Sequence, residues 1–437
     1  MQVKWSLPLA PNGLASTERA NFNHLVLDIA WFGLALAATS RFTSVYAIRL
    51  GASPSDLGWL TALPALVLLL SSSVGALWVR RFSSVSRALI FPGLGFRFIF
   101  LLPAFAPLFP RQWQPAWLII SAALPALMQG IAATAFVTLM RSAIHDQQMQ
   151  KLLSRRSMVM NITIAVGALA FGLWLEQAPF PLNYQVMYVI AFVFALISLR
   201  HCLSVNEKFN SCHRYIPREQ QKTSLREEWT RMVAPWKTPA FRSVALVVVI
   251  THIAFFSVFP VTPLHIVRNL GATEGFMALF GLVELSAGAM VGIFATRISA
   301  HIGTRAMIAL AMLGTGVAAM IFAFSPNMYV TLIGAAISGA TWTATAMIGL
   351  FAYFTENTPA DKMTDYSVAY HQVIGAATFV GPLLGSALAN SGMNLVTVLL
   401  IGAALRLLSA PLLEHHLMGK IKTVGAAATH KIGLRTH

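Results

Sequence analysis

The chain has 437 residues, of which 57% are hydrophobic and 11% charged. Soluble domains carry about 25% charged residues, so an ordinary soluble globular fold is excluded. Lys and Arg outnumber Asp and Glu by 31 to 15; in so apolar a chain the excess marks cytoplasmic loops of a membrane protein rather than a nucleic-acid surface.

The charges cluster and leave uncharged apolar stretches of about 20 residues, the length that crosses a bilayer core. A transmembrane barrel would instead alternate apolar and polar residues in short segments. Twelve spans are predicted: 24–47, 55–79, 87–109, 114–139, 157–178, 184–203, 242–266, 273–296, 305–325, 328–353, 365–390 and 394–413. Each must be a helix, because a segment in lipid has to satisfy its own backbone. Pro125, Pro260, Pro263 and Pro382 fall inside spans and mark candidate kinks. Residues 1–22 lack the apolar core and cleavage site of a signal peptide, so the first span is expected to be retained. Cys202 and Cys212 make neither a disulfide framework nor a zinc site, and no metal or cofactor is expected.

With both termini inside, the cytoplasmic side carries Arg80, Arg81, Arg87, Arg141, Lys151, Arg155, Arg156, Arg297, Arg305 and the loop 204–241, while the outer side keeps Arg49, Arg111 and Arg268. That bias follows the positive-inside rule. The central loop holds "SLRE" at 224–227, a capping box, with Leu225, Trp229, Met232 and Val233 on one helical face. It reads as an amphipathic helix on the inner membrane surface or as a solvated linker. The expected fold class is an all-α integral membrane protein, with twelve transmembrane helices in two pseudo-repeated six-helix bundles and both termini cytoplasmic. The expected domains are 1–203, the linker 204–241, the second bundle 242–413 and a basic tail 414–437.

The halves echo each other. "RLGASPSDLGWL" (49–60) and "NLGATEGFMALF" (269–280) place Gly51 and Gly271 220 residues apart. "GALWVRRFSSVSRALI" (75–90) returns as "GIFATRISAHIGTRAMI" (292–308), with Arg297 and Arg305 in the roles of Arg80 and Arg87. "SRRSMVMN" (154–161) after span 4 is loosely answered by "TDYSVAYH" (364–371) after span 10. Two six-span halves in parallel are one layout of transporters with internal repeats, in which the substrate site lies between the halves near the midplane.

In these features the chain resembles the major facilitator superfamily along nearly its whole length. The family's loop between its second and third helices reads roughly G-x-L-x-D-R-x-G-R-R. Gly75, Leu77 and Arg80 match it, as do Gly292 and Arg297, but the aspartate positions hold Val79 and Thr296. The resemblance implies a cytoplasmic hinge built on Gly75, Arg80, Arg87, Gly292, Arg297 and Arg305, without the aspartate that helps lock the family's outward-facing state. "ALMQGIAA" (126–133) resembles the family's R-x-x-Q-G-x-x-A pattern and keeps Gln129 and Gly130, but has Ala126 for the arginine tied to proton coupling in drug exporters. The antiporter glycine-proline motif is missing from span 5, and "GPLLG" stands at 381–385 in span 11 instead. These departures disfavour a standard proton-drug antiporter.

Ionisable groups inside spans are functional candidates, since placing them there is costly. Glu284 sits about eleven residues into span 8, roughly 16 Å deep, with Gly281 and Gly288 on its face. A carboxyl group held away from water there suits a proton carrier; a structural hydrogen-bonding role is the other reading. Asp28 and His371 are further proton-coupling candidates, Asp28 also reading as a helix-end group paired with a loop arginine. Arg41, Gln129, His252 and the hydroxyl stripe Ser338, Thr341 and Thr345 are candidate cavity residues, with snorkelling for Arg41 and helix packing for the stripe as alternatives. Arg97 reads as structural and Arg406 as snorkelling inward. No phosphate-binding glycine loop, HExxH or nucleophile elbow occurs, so no enzyme activity is expected. The expected protein is a monomeric secondary transporter of a small amphipathic organic molecule in the bacterial cytoplasmic membrane. It works by alternating access, with protons as a coupling partner and efflux favoured. A non-transporting receptor or assembly factor and a lipid flippase are the competing readings.

Overall fold

The computed structural model describes residues 10–11, 14–79, 81–82, 84–207, 233–359 and 362–414. Every regular element among the described residues is helical. In chain order the spans are α1 (Ser16–Arg49), α2 (Pro54–Val79), α3 (Val85–Phe100 with Leu102–Leu108), α4 (Gln114–Ala143), α5 (Asp146–Gln177), α6 (Leu182–Leu203), α7 (Pro239–Arg268), α8 (Glu274–Ile302), α9 (Thr304–Phe324), α10 (Met328–Glu356), α11 (Met363–Asn390) and α12 (Leu395–Leu413). Eleven of these are long and apolar enough to cross a bilayer, and the two parts of α3, bent by 44°, meet that test only when taken together as one span. The amphipathic helix expected near 224–233 lies outside the described residues except for Val233, as does the tail beyond Glu414.

Two compact units form. The first comprises residues 1–51, 63–221 and 273–278; the second comprises 52–62, 222–272 and 279–437. Within the first, α1 packs mainly on α5 and α6, and α3 on α4. Within the second, α7 packs on α11, and α9 on α12 and α10. The internal repeat therefore extends to helix pairing: first helix on fifth, third on fourth. Small residues permit these approaches. A Cβ at Gly33 of α1 would collide with Thr163 of α5, and one at Gly402 of α12 with Val258 of α7.

The repeated "LGAS/LGAT" has a conformational cause. Gly51 and Gly271 follow the ends of α1 and α7 at φ 87° and 68°, the left-handed region that a side chain rarely adopts. Gly51 N–H then bonds the Ile48 carbonyl at 3.1 Å, closing the helix end. None of the described atoms lies within 4 Å of a Cβ at either position, so the cost of substitution is conformational. Gly51→Ala and Gly271→Ala should each destabilise by about 1 kcal/mol, read as a modest fall in the thermal unfolding temperature of the purified protein. A larger loss would mean that packing, not backbone conformation, fixes these glycines.

Several spans are not straight. α7 breaks between Phe256 and Val261, beside Pro260, at a site the proline marks. α1 breaks at Arg41 with no proline or glycine nearby. There the Thr39 and Ser40 hydroxyls donate to the carbonyls of Leu36 and Ala37, three residues back, at 3.2 Å each. Such bonds compete with the helix ladder and bend it. α10 widens into a π-helix over Thr343–Gly349.

Candidate functional site

In the first unit, a buried charge cluster adjoins a cavity. Arg156 of α5 donates through Nη1 to the Leu25 carbonyl and to Asp28 Oδ2, the latter at 3.1 Å. Ser198 of α6 donates to Asp28 Oδ1 at 2.8 Å. Arg97 of α3 spends its fork on the Ala195 and Gly93 carbonyls, each at 2.6 Å, and on Ser198 Oγ at 2.9 Å. Its Nη2 stands 3.9 Å from Asp28. A lone buried charge would be costly, and the three groups offset one another. Beside them is a cavity of about 210 Å³ whose lining includes Asp28, Arg97, Arg156, Gln129 and Phe136. The structure thus brings two expected site residues, Asp28 and Gln129, to one cavity.

Arg156 corrects an expectation. It was placed among cytoplasmic loop charges, but α5 begins at Asp146, so "SRRSMVMN" is helix rather than loop. Arg156 is 8% exposed, while its neighbour Arg155 is exposed. Leu152, buried four residues earlier on the same face, is the signal that would have found it. Arg406 is a second correction. It does not snorkel: it is 2% exposed and donates to the carbonyls of Ala254, Phe255 and Thr315. The break in α7 frees the Ala254 and Phe255 carbonyls at the end of its first segment, and the guanidinium takes them up, reaching the Thr315 carbonyl of α9 as well.

In the second unit, Glu284 of α8 lies against α10. A Cβ at Gly339 would collide with the Glu284 carbonyl, and one at Gly288 would stand 2.5 Å from Thr343 Oγ1. Glu284 therefore sits on a glycine-lined helix contact, next to the start of the π-helical turn. His252 of α7 is 5% exposed, and its Nδ1 lies 3.0 Å from the Val248 carbonyl. Its ring meets Trp342 of α10 edge-on at 5.5 Å, and Phe255 stacks on Trp342 at 3.7 Å. Thr341 donates to the Ile337 carbonyl at 2.6 Å and Thr345 to Thr341 at 3.0 Å. The Thr341 methyl presses on Gly314 of α9, and Ser338 is buried. His371 of α11 is exposed, with Nδ1 2.8 Å from the Ser367 carbonyl. Arg41 occupies the break in α1 and is half-buried.

The two hinge copies differ. A Cβ at Gly75 would stand 2.5 Å from Thr134 Oγ1 of α4, a close helix approach, whereas none of the described atoms lies within 4 Å of one at Gly292. Arg80 and the Arg297 side chain lie outside the described residues. Arg87 is exposed, and the Arg305 guanidinium lies 5.8 Å from the Tyr353 ring centre. Sequence reasoning missed two carboxylates here. Glu207, just past α6, accepts from the hydroxyls of Ser84 and Ser86 and from Ser86 N–H at the start of α3, at 2.5, 3.2 and 2.8 Å. Glu356, ending α10, accepts from Thr304 Oγ1 at the start of α9 at 2.5 Å. Ser84 and Thr304 are 220 residues apart, the offset of the repeat. Each third helix of a half is thus met at its N-terminus by a carboxylate, where the dipole favours negative charge. Glu207→Ala should cost about 1–2 kcal/mol, leaving a cap hydroxyl and an orphan N–H without their acceptor. Glu356→Ala should cost less, because it removes one bond. Equal thermal shifts for the two would refute the capping account.

Eleven to twelve apolar helices among the described residues, in two similarly paired sets, define a polytopic membrane protein with an internal repeat. The family model described as Major Facilitator Superfamily matches residues 27–382 and 244–423, and the chain belongs to that family. Among solved structures, the nucleoside transporter NupG is similar over 93% of this chain and 100% of its own, at 11% identity and a TM-score of 0.65. The D-xylose-proton symporter is similar over 91% and 98%, at 14% identity and a TM-score of 0.65. A bacterial homologue of the human drug peptide transporters is similar over 94% and 99%, at 12% identity and a TM-score of 0.63. Likeness at these identities concerns the fold. No curated protein matches the chain by sequence.

Proposed function

We propose that the protein is a proton-coupled secondary transporter that carries a small amphipathic organic molecule outward by alternating access. Membership of a family of transporters supports the class. The observation that carries the coupling assignment is Glu284, a carboxyl residue in the middle of α8 packed backbone-to-backbone on Gly339 of α10 beside a π-helical turn. π-Turns inside α-helices recur at functional sites. Asp28, by contrast, has its charge taken up by Arg156. Few charges occur in the spans, which suits a solute with a large apolar part. A thermal-shift screen of the purified protein, followed by flux of the hits into liposomes that contain this chain alone, tests the reading. Substrate-dependent flux supports it. Stabilising ligands with no flux, together with co-purification of a second membrane protein, would replace it with an assembly or receptor role.

The same proposal sets the protein as a monomer in the bacterial cytoplasmic membrane; the loop charges support both termini inside. A single cysteine at Ser83 should resist a membrane-impermeant thiol reagent in intact cells, and one at Gln112 should react. The reverse pattern would invert the topology.

A further inference from the structure

The cavity in the first unit has an unspent binding edge. Arg97 uses Nε, Nη1 and Nη2 on three separate acceptors. Arg156 uses Nη1 alone among the described residues, on Leu25 and Asp28. Its Nε–H and Nη2–H remain, and these two point parallel from one side of the guanidinium, the geometry that takes a carboxylate through two bonds. Arg156 is 8% exposed and lines the cavity, while Gln129 and Ala133 in the same lining are exposed, so a ligand can reach a guanidinium that is itself largely buried. The Phe136 ring, 4.7 Å from the guanidinium carbon, covers the flat face and leaves the edge as the accessible part.

Charge and shape narrow the ligand. Two arginines face one aspartate in the lining, a net charge of +1. A cation is therefore repelled, and a neutral carbonyl accepts from Arg156 without the charge or the second oxygen that a carboxylate brings to the edge. Away from the charges the walls are apolar: Ile29, Phe32, Phe96, Ala133 and Phe136. A bare inorganic anion would leave them uncovered. The volume is about 210 Å³; a dry cavity of about 150 Å³ holds benzene, so there is room for one ring and a carboxylate. Gln129, in the same lining, offers an amide donor.

We propose that this cavity binds a small organic monocarboxylate with an apolar body, its carboxylate on the Nε and Nη2 edge of Arg156 and its body against Phe32, Phe96 and Phe136. The site stands on its own geometry and does not depend on the ligand being the transported solute.

The test is calorimetric titration of the full-length protein in lipid nanodiscs with benzoate, benzamide, benzylamine and inorganic phosphate, without any flux measurement. Benzoate should bind, with the other three at least tenfold weaker. Arg156→Lys keeps the charge beside Asp28 but lacks the fork, and should weaken benzoate at least tenfold. Ala133→Phe fills the cavity without touching the ion pairs, and should abolish binding while the thermal unfolding temperature holds. Equal binding of benzoate and benzamide, phosphate binding as tight as benzoate, unchanged affinity in Ala133→Phe or no benzoate binding to the wild type would each overturn the proposal. Because binding alone is read, absence of transport would count against the proposed function and leave this site untouched.

Discussion

Glu284→Gln should abolish accumulation of substrate against its gradient while leaving exchange intact. Glutamine keeps the shape and most of the hydrogen bonding of the side chain but cannot ionise. The packing that fixes position 284 is between backbones: the Glu284 carbonyl against Gly339, with Gly288 against Thr343 one turn on. That contact survives the substitution, so α8 and α10 should keep their places and the protein should fold. A carboxyl group held mid-span loads a proton on one side of a membrane and releases it on the other; an amide does not. In liposomes, the mutant should bind substrate and equilibrate it, yet show no concentrative transport when a pH difference is imposed. Full proton-driven accumulation by the mutant would remove Glu284 from the coupling role, and Asp28 and His371 would be the next residues to test. A mutant that neither binds nor exchanges would make Glu284 a substrate ligand.

Gly385→Ala should be the most damaging single methyl addition considered. A Cβ there would collide with the carbonyl oxygen of Ser257, where α7 breaks, and come within 2.6 Å of its carbonyl carbon. The obstacle is backbone, which cannot rotate away as a side chain can. Gly381, one turn earlier, meets Phe256 Cβ at 2.9 Å in the same sense. "GPLLG" in α11 is therefore the strip on which the broken segment of α7 lies. Overpacking of this kind costs about 1–3 kcal/mol and occasionally more, and with backbone as the obstacle the upper end is expected. Gly385→Ala should lower the unfolding temperature well beyond Gly51→Ala and reduce the yield of monodisperse protein. A shift no larger than that of Gly51→Ala would mean that α7 and α11 lie further apart than described.

The spans and the repeat were legible because both are written in composition. Uncharged runs, loop charges and the "LGAS/LGAT" pair locate helix ends to within a few residues for most spans; the start of α5, eleven residues early at Asp146 rather than 157, is the main miss. "SRRS" looks like a loop because of its arginines, yet a helix can carry one arginine inward to Asp28 and its neighbour outward. Leu152, one turn before Arg156, was the local clue to the inward face, but the partners that hold the charge, Leu25 and Asp28, belong to a helix far away in the chain. Arg406 was misread for the same reason: carbonyls released by the break in α7 hold it. Spans that are apolar all round give weak helical periodicity, so inward and lipid faces are hard to separate. The break at Arg41 had no proline or glycine to announce it. What could be read at Glu284 was the glycine-lined face, because Gly281 and Gly288 lie on the same helix; the partner Gly339 could not be.

Solute counterflow tests the central claim most directly. Liposomes containing only this chain are loaded with excess unlabelled substrate and diluted into trace labelled substrate, with no ion gradient. A carrier that alternates access should draw label inward to a transient peak above the outside concentration, and the peak should vanish when the liposomes are not preloaded. Label that never exceeds equilibrium, with or without preloading, would contradict a carrier.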